Sequence, residues 1–380
     1  MSKSNETTPN VPTLRFCEFT LPWERIELKS IIKEIKQYTS DFDKYPLYSF
    51  TIENGVTPKT DRYERNFLVT KEGDTFKVVP PNTFVMNPMN LRFGAINYSK
   101  LDFPVSVSGY YNIFEIENGK NNDFWAAYFL TKSAINLYNS VATGSLIEKK
   151  RVHFSQFIGL KFLVPTSKEK EKITYFIRLI DKRLAVQNKI IEDLKVLKKE
   201  LNAFLINRLT NGKIPNCQIG DVIDYEQPTS YIVNSDKYIS NGTTPVLTAN
   251  KAFVLGYTNE QEGIYDKGNC IIFDDFTLDF KFVDFPFKVK SSAIKILSAK
   301  SNVEIKYFYE YLLFLGLSTN EHKRHYISEV ASKSMYLPSL YEQETLLKPL
   351  NKISLKLFQE ERVLSLLKQQ RKYLLNAMFI

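Results

Sequence analysis

The chain has 380 residues, 43% of them hydrophobic and 14% aromatic. That is enough for two globular domains of common size and excludes a disordered chain. A net charge of +9 points to an anionic partner such as nucleic acid. Cys17, Cys217 and Cys270 are too few and too far apart for a disulfide framework or a Cys-x-x-Cys metal pair, which fits a reducing cytoplasm. Residues 1–10 are polar and lack a signal-peptide core, and no run of about 20 apolar residues exists to span a membrane.

Residues 11–30 read as a short entry segment with Trp23 in a turn-rich context. Residues 31–163 alternate short apolar runs with turn signals at Tyr45-Pro46, Asn54-Gly55, Pro80-Pro81-Asn82 and Glu117-Asn118-Gly119, the pattern of a mixed unit of short strands. Within it, residues 124–140 have helical spacing. Further on, Ile271-Ile272-Phe273 and the run from Ala293 to Leu297 read as buried strands, and Val303 to Leu317 as a helix.

About 55 residues occur twice, 173 positions apart. Lys150-Arg151-Val152-His153-Phe154-Ser155 returns as Lys323-Arg324-His325-Tyr326-Ile327-Ser328, and Val164-Pro165-Thr166 as Leu337-Pro338-Ser339. Leu201-Asn202-Ala203 returns one residue late as Leu375-Asn376-Ala377. A repeat of this length predicts two globular units, each followed by a long helix. The first helix carries apolar residues in a 4,3 alternation from Ile173 to Leu205, and the second from Leu346 to Met378. That is a heptad seam for packing helix on helix. Polar residues interrupt it at matching places: Gln187 and Glu360, Lys198 and Arg371. A polar seam residue specifies register at a cost in stability. Gln187 and Glu360 fit that role near the crossing of an antiparallel pair, whereas Lys198 and Arg371 equally fit snorkelling from an amphipathic helix. Pro349 is tolerated unkinked only in a first turn, so the second helix is expected to start near Leu347 or to bend.

The charge is uneven. Residues 164–212 carry 11 basic against 6 acidic groups and residues 338–380 carry 7 against 4, whereas residues 213–337 carry 13 against 15. Most of the excess sits on the helices, so DNA binding by the second unit requires a local patch.

Motifs for catalysis are weak. Asn87-Pro88-Met89-Asn90 lacks the second proline and the aromatic that clamp a flipped base in amino-methyltransferases. Asp279-Phe280-Lys281, with Asp266 or Asp274 upstream, fits half a nuclease site but reads more simply as a charged strand or loop edge. His322 and His325 lack a third ligand for zinc and suit a phosphate-facing or solvated turn. No phosphate-cradling loop or Ser-His-Asp arrangement is present. Two clusters suit DNA contact. The first is Asn87, Asn90 and Arg92 with Tyr110 downstream, since Asn and Arg can pair bidentately with adenine and guanine edges. The second is Asn250, Lys251, Thr277, Lys281 and Lys290, with Lys288 nearby, whose hydroxyl and ammonium groups can hold phosphates. Taken singly, each is an ordinary loop residue.

These residues resemble the specificity subunit of type I restriction-modification systems over nearly the whole chain. The match is strongest in the proline-acidic-heptad block, present from Val164-Pro165 and again from Leu337-Pro338-Ser339-Leu340-Tyr341-Glu342-Gln343-Glu344. The segments from Val11 to Phe19, Trp23 to Leu28, Asn87 to Ala95 and Phe273 to Thr277 are similar too; Glu169-Lys170 departs from the usual Glu-Gln pair. The resemblance implies an α+β fold with two pseudo-repeated target recognition domains, residues 11–163 and 213–337. Two long helical segments, residues 164–212 and 338–380, separate them and form an antiparallel coiled coil. It further implies a non-catalytic cytoplasmic protein that reads a bipartite site in double-stranded DNA. Two methyltransferase subunits and, in the restricting complex, restriction subunits dock on it; S-adenosylmethionine and ATP with magnesium belong to those partners, not to this chain. A helix of about 40 residues is roughly 60 Å long, longer than one DNA turn of roughly 34 Å. The competing readings are a DNA-binding adaptor or decoy of another defence system and, behind it, a free-standing nuclease or methyltransferase.

Overall fold

A computed structural model describes residues 10–52, 55–58, 76–145, 150–250, 252–319 and 323–380. The chain forms two compact units, Met1–Gln187 with Val363–Ile380, and Asn188–Arg362. Each long helix, Ser167–Thr210 and Leu340–Met378, is therefore shared between them.

Both units are built around the same antiparallel four-stranded sheet. In the first, the order is Ile32–Ile35, Asn112–Ile116, Phe84–Met86, Ile96–Tyr98; in the second it is Ile223–Glu226, Ile294–Ala299, Cys270–Asp274, Phe280–Val283. A smaller three-stranded sheet accompanies each, and one strand of it runs directly into the strand next to the centre of the larger sheet. Even the parallel bridges correspond, Leu47 with Ser106 and Ile232 with Val289. The repeat thus extends through the globular parts, where sequence identity has faded. The strands expected around residues 271–273 and 293–297 and the helix near residues 303–317 are present as Cys270–Asp274, Ile294–Ala299 and Ile305–Leu315. The helical spacing over residues 124–140 resolves into two helices, Asn122–Phe129 and Lys132–Val141. Thr131 breaks the run and caps the second helix by accepting from the Ala134 amide at 3.3 Å.

The first unit's core joins Phe84, Phe114, Trp125, Tyr128, Phe129 and Phe162 to Ile173 and Ile177 of the first long helix, Leu375 and Met378 of the second, and Phe379 just after it. The start of one helix therefore faces the end of the other, which makes the pair antiparallel in this unit. Asp181 and Arg371 join them through contacts of 2.6 and 3.3 Å. In the second unit Ile206, Leu201 and Leu205 pack with Leu346, Leu347 and Leu350, and Lys195 reaches Glu361 at 2.9 Å, so the pair is antiparallel there too. Every seam position from Ile173 to Leu205 and from Leu346 to Met378 is buried or half-buried, the polar interruptions included.

The second helix does not start near Leu347. It begins at Leu340 and runs through Pro349. Ser339 and Glu342 form a capping box, the serine amide and hydroxyl both donating to the Glu342 carboxylate at 2.9 and 2.8 Å, and this fixes the earlier start. Pro349 removes one amide donor, but Leu346 and Leu350 on either side of it are 3% and 0% exposed, and their packing holds the turn in place. The first helix has Thr166-x-x-Glu169 at the corresponding place, with a different use of the glutamate. Glu169 is buried and turns away from the helix end to accept both arms of Arg15, each at 2.7 Å, and the Trp23 indole at 3.3 Å. This pins the entry segment onto the first unit, where the Leu14 amide also donates to the Ala377 carbonyl at 2.8 Å.

Arg15→Ala leaves a buried carboxylate without its counter-charge, a loss of about 3–5 kcal/mol. Trp23 and Trp125, the two tryptophans of the chain, both lie in the first unit. Tryptophan-detected urea unfolding of R15A should shift to lower denaturant by that amount, and an unshifted midpoint would show the pair to be idle.

A second tie is pH-sensitive. Asp123 accepts from Tyr98 and from Arg178 of the first long helix, both at 2.6 Å. Burial alone would raise this carboxyl, but those hydrogen bonds, with Lys100 nearby, hold it below its ordinary value. A depressed carboxyl contributes stability above its unfolded pKa and loses it as pH falls through the folded one. The stability gap between the wild-type chain and Asp123→Asn should therefore be full near neutrality and close in acid; a gap constant with pH would contradict the assignment.

Candidate nucleic-acid interface

In each unit, two turns meet at one end of the larger sheet. Met86 pairs with Asn112, so the turn after Phe84–Met86 lies beside the turn before Asn112–Ile116. Asp274 pairs with Ile294, so the turn after Cys270–Asp274 lies beside the turn before Ile294–Ala299. The first pair of turns gathers Asn87, Asn90, Arg92 and Tyr110, and the second gathers Thr277 and Lys290. Asn250 joins the second group, because the Lys290 amide donates to the carbonyl of Leu247, three residues before it, at 3.1 Å. Lys251 lies outside the described residues. Lys281 stands apart, half-buried along the edge strand opposite Ile272, on the face away from Phe280 and Phe282. Sequence-distant candidates thus converge on topologically equivalent places in the two units.

The turns are built differently. In the first unit the Asn87 side chain accepts from the Met89 amide at 3.0 Å, so its oxygen is committed to the turn itself. Leu91 is buried beneath a single helical turn, Leu91–Phe93, which closes at Gly94 with φ of +87°. The Arg92 guanidinium lies 5.3 Å from the Phe93 ring and 3.5 Å from Asn139. Asn90 and Phe93 point outward. Tyr110 is exposed at the neighbouring turn, which buried Lys77 supports by donating to the Tyr111 carbonyl at 2.8 Å. Burial lowers the pKa of that ammonium group.

In the second unit, Asp274 accepts from the amides of Phe276 and Thr277 at 2.9 and 3.0 Å and holds Leu278 in a left-handed conformation at φ of +61°. Asp275 is buried, accepts from the amides of His325 and Tyr326, and lies 3.4 Å from the equally buried Lys295. Thr277 and Asp279 bond to each other at 3.1 Å. The aspartates therefore shape a turn. Among the described residues no group of three or more His, Cys, Asp or Glu could hold a metal, and no helix is long and apolar enough to cross a membrane. Lys288, read from the sequence as a phosphate-holding group, is 2% exposed and donates to the Glu260 carboxylate and the Glu262 carbonyl at 2.8 and 2.7 Å. It belongs to the interior, because its strand turns that side chain inward.

The four seam residues also have places. Arg371 bridges the helix pair in the first unit, whereas Lys198 reaches Glu310 of the globular helix in the second at 2.7 Å. Gln187 is buried at the end of the first unit's share of its helix, and Glu360, in the second unit, accepts from Lys356 at 2.5 Å. Lys77, Asp275 and Lys295 were invisible as supports in the sequence; the Asp274-Asp275 doublet after a buried strand was the one available signal.

A Cβ at position 94 would fall 3.0 Å from the Leu130 methyl in a backbone conformation that favours glycine. Gly94→Ala should destabilise the first unit by about 1–2 kcal/mol, read again by tryptophan-detected unfolding; an unchanged midpoint would show that this turn adjusts freely.

No protein-family model matches the chain. The Type I restriction enzyme EcoR124I/EcoR124II specificity subunit of Escherichia coli is 42% identical over 142 residues, which are 36% of this chain and 35% of that protein. The chain thus spans about a third of the length of the curated relative it matches. The Type-I restriction-modification system S subunit from M. genitalium aligns with 97% of this chain and 99% of its own, at a TM-score of 0.56 and 14% identity, which shows a shared fold. The HsdS subunit from Thermoanaerobacter tengcongensis aligns with 96% of this chain and 98% of its own, at a TM-score of 0.39 and 12% identity, too loosely to add weight. Over that stretch the sequence is similar to a type I restriction enzyme specificity subunit, and over nearly the whole length the fold is similar to that of a type I restriction-modification S subunit.

Proposed function

We propose that this chain is a non-catalytic DNA-recognition subunit whose two units each read one half of a bipartite target in double-stranded DNA. The observation that carries this reading is the pairing of a common frame with unlike turns. The same sheet order and helix seam occur twice, yet Asn-Pro-Met-Asn-Leu-Arg-Phe-Gly stands in one unit where Asp-Phe-Thr-Leu stands in the other. Base edges are read by side chains, so unlike turns on one scaffold imply unlike half-sites. Asn90, Arg92 and Tyr110 serve the first half, and Asn250, Lys251, Thr277, Lys281 and Lys290 the second. Asn87 holds the first turn in shape.

On this proposal residues 11–163 and 213–337 are the recognition domains, and the long helices fix the length of the unread gap. Gln187 and Glu360, with Lys198 and Arg371, set the helix register. Two methyltransferase subunits dock on the repeated helices and methylate adenine with S-adenosylmethionine; restriction subunits, where present, bring ATP with magnesium and cut. The complex works in the cytoplasm.

Modification-sensitive sequencing of cells carrying the whole system should reveal adenine methylation at a two-part motif with a fixed gap. Exchanging residues 213–322 for the equivalent segment of another such subunit should change one half of the motif only. A change in both halves would refute the division of labour. DNA binding with no methyltransferase partner and no methylation would instead favour an adaptor or decoy.

A further inference from the structure

The two units differ in their recognition turns but share one fixture beside them. Lys150-Arg151 and Lys323-Arg324 occupy matching positions in the repeat, each just ahead of a short helical turn, Phe154–Ile158 or Tyr326–Val330. In the first unit the next residue, Val152, is fully buried, and its amide donates to the Pro88 carbonyl inside the Asn87–Gly94 turn at 3.0 Å. Arg151 is exposed, and its backbone exchanges two hydrogen bonds with Thr143, both 2.9 Å. In the second unit the next residue, His325, is 1% exposed, and its amide donates to the Asp275 carbonyl at 3.0 Å and to the Asp275 carboxylate at 3.1 Å. The Arg324 side chain is 53% exposed, with its guanidinium 5.6 Å from the Phe276 ring and 3.9 Å from Asp275. Each unit therefore hooks a buried anchor onto the first residues of its recognition turn and leaves an arginine exposed next to it.

We propose that Arg151 and Arg324, with Lys150 and Lys323 beside them, are paired phosphate contacts that set the orientation of each unit on the duplex; this rests on the DNA-recognition reading above. Two readers of different bases share only what every duplex presents alike, which is the phosphodiester backbone. Residues that stay the same at equivalent places while the turns around them change are suited to that invariant feature. Arginine suits it chemically, because its planar fork can give two charge-assisted hydrogen bonds to one phosphate. Backbone contacts of this kind fix register and carry no sequence information. Two copies of one partner subunit would also meet equal surfaces in the two units. Lys323 is paired with Glu329 at 3.0 Å, but an exposed guanidinium stands at the lip of the recognition turn in both units, and that favours phosphate over the alternative.

The test uses the full chain in its complex with the methyltransferase partners. Affinity for a cognate and an unrelated duplex is measured across salt concentrations for wild type, R151A, R324A and the double variant. Each arginine removed should flatten the logarithmic salt dependence by about one. Affinity should fall by the same factor on both duplexes, leaving the cognate preference intact. Arg151→Lys and Arg324→Lys keep the charge and should restore the slope, and because both arginines are exposed the thermal midpoint should not move. An unchanged slope would overturn the proposal. So would a loss confined to cognate DNA, which marks a base reader, or a loss of partner subunits from the complex, which marks a docking surface. If the wild-type complex binds neither duplex, the DNA-recognition reading itself falls, and the phosphate contacts with it.

Discussion

Everything in this chain depends on covering the seam of two long helices. A helix of 44 residues and one of 39 each carry an apolar stripe that water would oppose along its whole length. The stripes are hidden by pairing, and also by the cores of the globular parts. Ile173 and Ile177 enter the same cluster as Trp125 and Tyr128, and Leu346 and Leu350 the same cluster as Tyr307 and Tyr326. Each globular part therefore rests on segments of both helices, segments that are far apart in sequence. A change of helix length or phase would move residues that belong to a core, and this resists slippage more firmly than the seam alone.

Much of this was legible in the sequence, because period and repetition survive without knowledge of contacts. The 4,3 alternation gave the seam, and every position assigned to it is buried or half-buried. The strands near residues 271–273 and 293–297 were legible as apolar runs. The start of the second helix lies earlier than Pro349 implied, because the rule for proline speaks of an isolated helix, whereas here a capping box at Ser339 starts the helix at Leu340 and buried leucines lie on either side of the proline. The inner charges were beyond reach. Glu169 finds Arg15 from 154 residues away, and Lys288 finds the Glu260 carboxylate in the loop after the strand Val254–Thr258. Nothing local in the sequence separates such a lysine from an exposed one. The likeness of the globular parts was hidden for a related reason: hydrogen-bond topology keeps sheet order while side chains diverge.

The candidate interface was half legible. Residue type picked out turns with Asn, Arg, Thr and Lys, and the fold then brought most of them to corresponding sheet ends. What the types could not reveal is which polar atoms are already spent. Asn87 is committed to its own turn, Asp274 and Asp275 to theirs, and Lys288 to the interior. Asn90, Tyr110, Asn250, Thr277 and Lys290 remain exposed, and the proposed reading of DNA rests on them.

On the proposed function, corresponding turns of the two units face different halves of one DNA site. Photo-crosslinking tests it directly, with a reactive residue placed at position 90 or at position 277 of the full complex on a duplex carrying the methylated motif. Position 90 should mark bases in one half and position 277 bases in the other, with the gap between left unmarked. Both positions marking the same half, or either marking the gap, would contradict it.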